Sequence, residues 1–369
     1  MPTNDYYGGH RHGDNLFSDS LVAVDLETGD RLWHYQFIHH DVWDWDIPCA
    51  PILADVVIDG VERKIIAQPT KQVWLYVFDR VTGEPIWPIE EREVEASNVP
   101  GELLALTQPY VTKPPAYDRQ GVSLDDLIDF TPEIQRRAEA IAARHRLGPI
   151  FTPPTVSDVN GVAGTLMLPS QAGGTNWPGG SIDPETGIVY LYTYTQVVSL
   201  GLINDPERSD MNFIRGRARE IPAAEVALNV DGIPLVKPPW GRITAIDLKE
   251  GEILWQVPHG ETPDNIRNHP LLEGVTLPRT GRIGRVGTLN TKTLVIAGEA
   301  GTFTTPSGEV GAMLRAYDKF TGQDVGEVFM PTGVSGSPMT YMHDGKQYVV
   351  TAISGGGFAG ELMAFRLPD

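Results

Sequence analysis

The chain is almost without cysteine: Cys49 stands alone among 369 residues. That excludes an intrachain disulfide framework and a cysteine-rich metal cluster. No run of roughly 18 apolar residues occurs, so the sequence offers no membrane-spanning helix. Met1-Pro2-Thr3-Asn4-Asp5-Tyr6-Tyr7 carries neither a basic n-region nor an apolar h-region. It is not a secretory signal, which leaves a cytoplasmic protein or a mature or truncated piece of a longer one. Basic residues are scarce, 29 against 48 acidic ones, for a formal net charge of −19. Such a balance argues against nucleic acid or an anionic membrane as partner. What is plentiful is glycine and proline, 39 and 30 residues, with 41% hydrophobic content. These describe a turn-rich globular chain of one large domain or two ordinary ones, not a disordered one.

Internal repetition is the informative feature. Residues 21–33, 75–87 and 243–255 each hold four strand-forming residues, an Asp, a Gly four positions later and a Trp eight positions after the Asp. Two weaker copies end in Gly187 and Gly322, the first without the Trp and the second with Gly326 in its place. The Asp can accept hydrogen bonds from turn amides two or three residues on. The Gly supplies positive φ for the turn, and the Trp can stack on a neighbouring unit. The Asp residues stand at 25, 79, 183, 247 and 318. An interval of 54 followed by one near twice 52 indicates a β-propeller, with these five turns read as five blades. The packing expected is radial four-stranded blades with Trp33, Trp87 and Trp255 between them.

The spacing also predicts one helix. Thr131 suits an N-cap, Pro132 the first helical position, and Ile134, Ala138, Ile141 and Ala142 share a face. Gly148-Pro149 supplies the stop. Residues 120–149 are therefore expected to be a helical insertion, in the place of a blade between Asp79 and Asp183, within a single propeller domain spanning 1–369.

The densest polar cluster is His39-His40-Asp41-Val42-Trp43-Asp44-Trp45-Asp46. Charges this close to apolar strands must be paired or ligated if buried. In an extended backbone Asp44 and Asp46 point to one side and can share a hard cation such as calcium. A satisfied surface loop is the plain alternative. No Gly-x-Ser-x-Gly elbow exists for a hydrolase, and the Gly-rich stretches lack the lysine and helix of a phosphate loop.

This cluster, with the Asp-x-x-Thr-Gly-x-x-x-Trp repeats, resembles the quinoprotein dehydrogenases, eight-bladed propellers that use pyrroloquinoline quinone (PQQ). Residues 68–80, the Gly173-Gly174-Thr175-Asn176-Trp177 loop, residues 333–350 and the ending Met363-Ala364-Phe365-Arg366-Leu367-Pro368 add to the resemblance. It implies an incomplete propeller of roughly five blades. Asp44 matches the family's catalytic base, which takes the substrate hydroxyl proton while hydride moves to the quinone C5. Lys71 matches the cation that hydrogen-bonds the quinone oxygens, and as Lys rather than Arg it is closer to the glucose/polyol type. Asn176 and Trp177 match the cofactor rim. Asp46 matches the extra metal ligand of lanthanide-using members beside the usual Ca2+. His39, His40 and Trp43 are expected to shape the pocket around Asp44. Val73 stands where many relatives have Gly.

The resemblance further implies a sugar, polyol or alcohol substrate, a quinone or cytochrome acceptor and a periplasmic setting. Met1 stands where relatives have the Asn metal ligand of a Gly-Asn pair. Their metal-binding Glu and the groups covering the quinone's faces lie further upstream still. The chain is thus expected to match a C-terminal portion, to lack part of the cofactor shell and to bind cofactor weakly unless an N-terminal propeller half completes it. The competing class is a non-enzymatic propeller scaffold built from the same repeats. That explains the Trp repeats, but not Asp44, Lys71 and Asn176-Trp177 together.

Overall fold

In a computed structural model that describes residue 2 and residues 4–366, five of the eight sheets are antiparallel blades that succeed one another along the chain. Met1, Leu367 and Pro368, which entered the resemblance, lie outside the described residues. The first sheet pairs Ser20–Val24 with Arg31–Gln36. The second holds Ile52–Ile58, Val61–Pro69 and Leu75–Asp79. The third orders Gly180–Asp183, Ile188–Tyr194, Gly241–Asp247 and Glu252–Pro258. The fourth runs from Thr288–Asn290 through Leu294–Gly298 and Val310–Asp318 to Asp324–Met330. The fifth holds Met339–His343, Lys346–Gly355 and Phe358–Arg366. These are the blades of a β-propeller whose ring is not closed: the first and fifth sheets do not pair with each other among the described residues.

The repeat units do two jobs. Inside each turn the Asp carboxylate binds the amides that follow it. Asp25 Oδ1 accepts from Glu27 and Thr28 at 2.9 and 2.8 Å, and Asp318 Oδ1 from Phe320 and Thr321 at 3.0 and 2.9 Å. Between blades, each Trp docks on the glycine of the next blade's turn. A Cβ at Gly83 would stand 2.7 Å from the Trp33 ring, one at Gly251 2.9 Å from Trp87, and one at Gly322 2.7 Å from Trp255. Trp33 and Trp255 also donate through Nε1 to the carbonyls of Arg80 and Lys319, the residues after the next blade's Asp, at 3.2 and 3.1 Å.

This docking order corrects the repeat count. The Asp183 turn is not a blade of its own. It joins the first two strands of the sheet whose last two strands carry Asp247. Gly187 accordingly meets Val56 and Lys249, not an indole. The fifth blade has no Asp repeat, so five turns and five blades agree in number only. The blades of Asp79 and Asp247 are direct neighbours: Ile65, Leu75 and Val77 share a buried cluster with Val189, Leu191 and Ile246. No blade stands between them.

The helix spans Pro132–Ala142, and Thr131 Oγ1 accepts from the Ile134 amide at 3.2 Å. Ile134, Ala138 and Ala142 are buried against a cluster that includes Leu166, Val236 and Trp240. It therefore packs on connections that leave and re-enter the third blade. Burial follows position in the ring. All seven residues of Ile188–Tyr194 are buried, whereas Leu26, Leu32, Met342 and Leu362 of the end blades are exposed.

Docking on a glycine predicts a matched difference in stability. Gly322→Ala places a Cβ in the Trp255 ring at φ +70°. It should cost about 1–2 kcal/mol for the left-handed backbone and roughly 1–3 kcal/mol for overpacking. Gly29→Ala, at φ +74° with no atom within 4 Å of the new Cβ, should incur only the backbone cost. Urea unfolding of the two variants measures the difference.

Candidate functional site

The connection from the first blade to the second is pinned by one buried carboxylate. Asp41 accepts from the Trp43 and Trp45 amides at 2.7 and 2.8 Å, one oxygen to each. Burial pushes its carboxyl well above the usual range. The two indoles stack at 5.7 Å and 15° and meet Phe151 edge-on. Their Nε1 groups donate to the carbonyls of Thr152 and Ser170 at 2.9 and 3.1 Å. With both tryptophans fixed inward, Asp44 and Asp46 are left to reach solvent.

They do so without an extended backbone. Asp44 adopts φ +60°, the left-handed region, so the strand alternation expected from sequence does not apply there. The two carboxylates converge because both meet Lys71. Lys71 Nζ donates to the Asp44 carbonyl at 2.8 Å, stands 3.5 Å from Asp44 Oδ1 and is hydrogen-bonded to Asp46 Oδ1. The Lys71 side chain is 8% exposed, against 23% and 36% for its partners. Burial raises the Asp44 carboxyl to about 6 against the opposing pull of Lys71, with Asp5 and Asp46 adding to the rise.

Lys71 sits in the turn between the second and third strands of the second blade, closed by Val73 N–H to Thr70 O at 3.1 Å. Val73 is wholly buried at φ +65°. A β-branched side chain is strained there. The turn is held from the third blade. Gly174 donates to the Lys71 carbonyl at 3.0 Å, and any Cβ at Gly173 or Gly174 would collide with Lys71 or Val73.

Asn176 completes this loop. It donates to Ala172 O at 2.6 Å and accepts from the Trp177 amide at 2.7 Å, and its carbonyl accepts from Cys49 Sγ at 3.1 Å. The Trp177 indole is 75% exposed. Asp44, Asp46, Lys71 and the backbone of 173–176 are thus brought together from three blades.

The histidines lie apart. His39 hydrogen-bonds Glu91 at 3.1 Å, and its amide donates to Gln108 at 2.9 Å. His40 is fully buried between the Gly13 carbonyl and Glu102, at 2.7 and 2.8 Å. Trp43 lies beneath the Asp44 loop, within its aromatic core.

Tyr6 and Arg215 were not singled out from sequence. Tyr6 donates to Asp44 Oδ2 at 3.2 Å, and Arg215 Nη1 donates to the Tyr6 hydroxyl at 3.3 Å. They stand 209 positions apart, so spacing carries no signal of this contact. Two clefts of about 490 Å³ open elsewhere, beside Arg315 and beside Asp55, and neither is lined by Asp44, Asp46 or Lys71. The charges in the Arg315 cleft are mutually paired, so the chemistry points to Asp44.

Residues 1–349 match the model of the glucose/ethanol/alcohol dehydrogenase β-propeller domain that binds PQQ. The chain belongs to the PQQ-dependent quinoprotein dehydrogenase family. It is 29% identical to the quinate/shikimate dehydrogenase (quinone) of Acinetobacter baylyi over 95% of this chain and 44% of that enzyme. It is 30% identical to the quinoprotein glucose dehydrogenase of Escherichia coli over 100% of this chain and 47% of that enzyme. The crystal structure of the quinohemoprotein alcohol dehydrogenase of Comamonas testosteroni superposes with a TM-score of 0.54 at 26% identity, covering 93% of this chain and 40% of that one. A europium-containing methanol dehydrogenase shares the fold, with a TM-score of 0.52 at 19% identity, covering 93% and 46%. The chain spans about half the length of the curated relatives it matches. No helix among its described residues is long and apolar enough to cross a membrane.

The Asp44 environment predicts its titration. In chelator-treated protein, ¹³C NMR of the carboxyl should show a midpoint near pH 6, with Asp44 charged above it. Tyr6→Phe removes a hydrogen bond to the charged form, so the midpoint should move up, not down.

Proposed function

We propose that this chain is the base-bearing part of an oxidoreductase that oxidises a sugar, polyol or alcohol hydroxyl, with Asp44 as general base. The observation that carries the reading is a carboxylate raised to about 6 that reaches solvent and is fixed by Lys71 and Tyr6. A base of that strength is charged at neutral pH yet accepts a proton readily. PQQ, when bound, supplies the two-electron acceptor.

The residues present suit an anionic, oxygen-rich cofactor. Lys71 offers a nearly buried ammonium. The Gln72 side-chain amide and the Ser170 hydroxyl next to the site have no hydrogen-bond partner among the described residues. Lys71 would hold the cofactor's oxygens and stabilise negative charge there. Asp44 and Asp46 would be two donors of a calcium or lanthanide site. No group of three or more His, Cys, Asp or Glu side chains is placed to hold a metal among the described residues, so the remaining donors come from the cofactor, water or further blades. The exposed faces of the first and fifth sheets fit such blades. Family resemblance supports a quinone or cytochrome acceptor and a periplasmic setting, and both belong to this proposal.

Asp44 takes the hydroxyl proton. Tyr6 orients the carboxylate through Oδ2, and Lys71 fixes its main chain. Asp44→Asn is nearly isosteric and should fold normally. Assayed with PQQ, calcium and a dye acceptor on glucose, glycerol and quinate, it should lose about 10²–10⁴-fold in kcat. Turnover equal to that of the unmodified protein would contradict the assignment of the base.

A further inference from the structure

We infer that Arg215 is a carboxylate-recognition residue beside the Asp44 base, so that the substrate is a hydroxy acid rather than a neutral sugar. The inference rests on the oxidoreductase reading above and names its substrate class.

Arg215 closes the short strand Ile214–Arg215, which pairs with Val198–Ile203. Its guanidinium lies over the Tyr6 ring, 5.2 Å from the centroid, and its Nη1 donates to the Tyr6 hydroxyl. Tyr6 in turn donates to Asp44. The guanidinium is therefore two hydrogen-bond lengths from the proposed base. The same wall is braced by Asn4, which donates to the Phe213 carbonyl at 3.2 Å, and by Tyr7, whose ring meets Phe213 edge-on at 5.4 Å.

Three properties mark Arg215 as a binding group. It is exposed, and it makes no ion pair and one hydrogen bond among the described residues. Arginine carries five N–H donors in a planar fork, so several remain for a ligand. The ring beneath fixes the plane of that fork, which suits bidentate capture of a carboxylate. Finally, it is a cation beside the site that has no acidic partner among the described residues. Lys71 is engaged by Asp44 and Asp46, and Asp5 adds further negative charge. In a chain of net charge −19, an anionic substrate would be repelled from Asp44 unless such a cation received it. Arg217, also exposed, joins Arg215 in lining a cleft of about 270 Å³ and adds to the local positive potential.

The test uses quinate and its methyl ester, which differ in one charge. With the cofactor-loaded protein, the ratio of kcat/KM for acid over ester should fall about 10- to 100-fold in Arg215→Leu, mainly through KM, as expected for loss of a charge-assisted pair. Arg215→Lys should recover part of the ratio. An unchanged ratio in Arg215→Leu overturns the proposal. Calorimetric titration of quinate into the same proteins gives a readout without turnover. Binding at least about tenfold tighter to the unmodified protein than to Arg215→Leu supports the site, and equal binding overturns it. If no alcohol, sugar or acid is oxidised at all, the oxidoreductase reading fails, and the titration alone decides the role of Arg215.

Discussion

Contact between an indole and a glycine joins each of the first four blades to the next. Each Trp of the repeat needs a flat, side-chain-free spot on its neighbour, and the positive-φ glycine of the next turn provides it. The Nε1 donation to a turn carbonyl then removes the freedom to slide. Trp33, Trp87 and Trp255 dock in succession on Gly83, Gly251 and Gly322, so one contact is repeated from blade to blade. That repetition brings the loop of Asp44, the turn of Lys71 and the strand-to-strand loop of Gly174 together, though they leave different sheets.

The site so formed is a problem in charge balance. Two carboxylates stand beside one buried ammonium, with Asp5 and the wholly buried Asp41 close behind. Asp41 is occupied by two amides, and its role is to fold the loop. Asp46 and Lys71 neutralise one another. Asp44 is left as the carboxylate whose proton affinity is raised and whose oxygen is accessible. That division of labour between neighbouring aspartates comes from hydrogen-bond partners and burial, since the side chains are identical.

Much of this was legible in the sequence. The Asp-to-Gly turns, the cap at Thr131 and the resemblance carried by residues 39–46 and 68–80 all depend on local spacing, and local spacing is what a sequence displays. Blade identity was less legible. Asp183 has the same turn chemistry as Asp247, and only strand order shows that both serve one sheet. Within the cluster 39–46 the side chains diverge in ways spacing does not display: His39 turns to Glu91, and His40 is buried on Glu102. Asp44 departs from the extended geometry because the inward anchoring of Trp43 and Trp45 takes precedence. Tyr6 and Arg215 lie 209 positions apart and carry no motif, so only the folded chain joins them.

In the proposed reading, Lys71 and its two aspartates face the cofactor. Titrating PQQ into the chain at saturating calcium, followed by tryptophan fluorescence, tests it most directly. Weak but saturable one-to-one quenching is expected, with affinity lowered at least about tenfold by Lys71→Ala through loss of a charge-assisted hydrogen bond. Affinity indifferent to Lys71, or no saturation at millimolar cofactor, would contradict it.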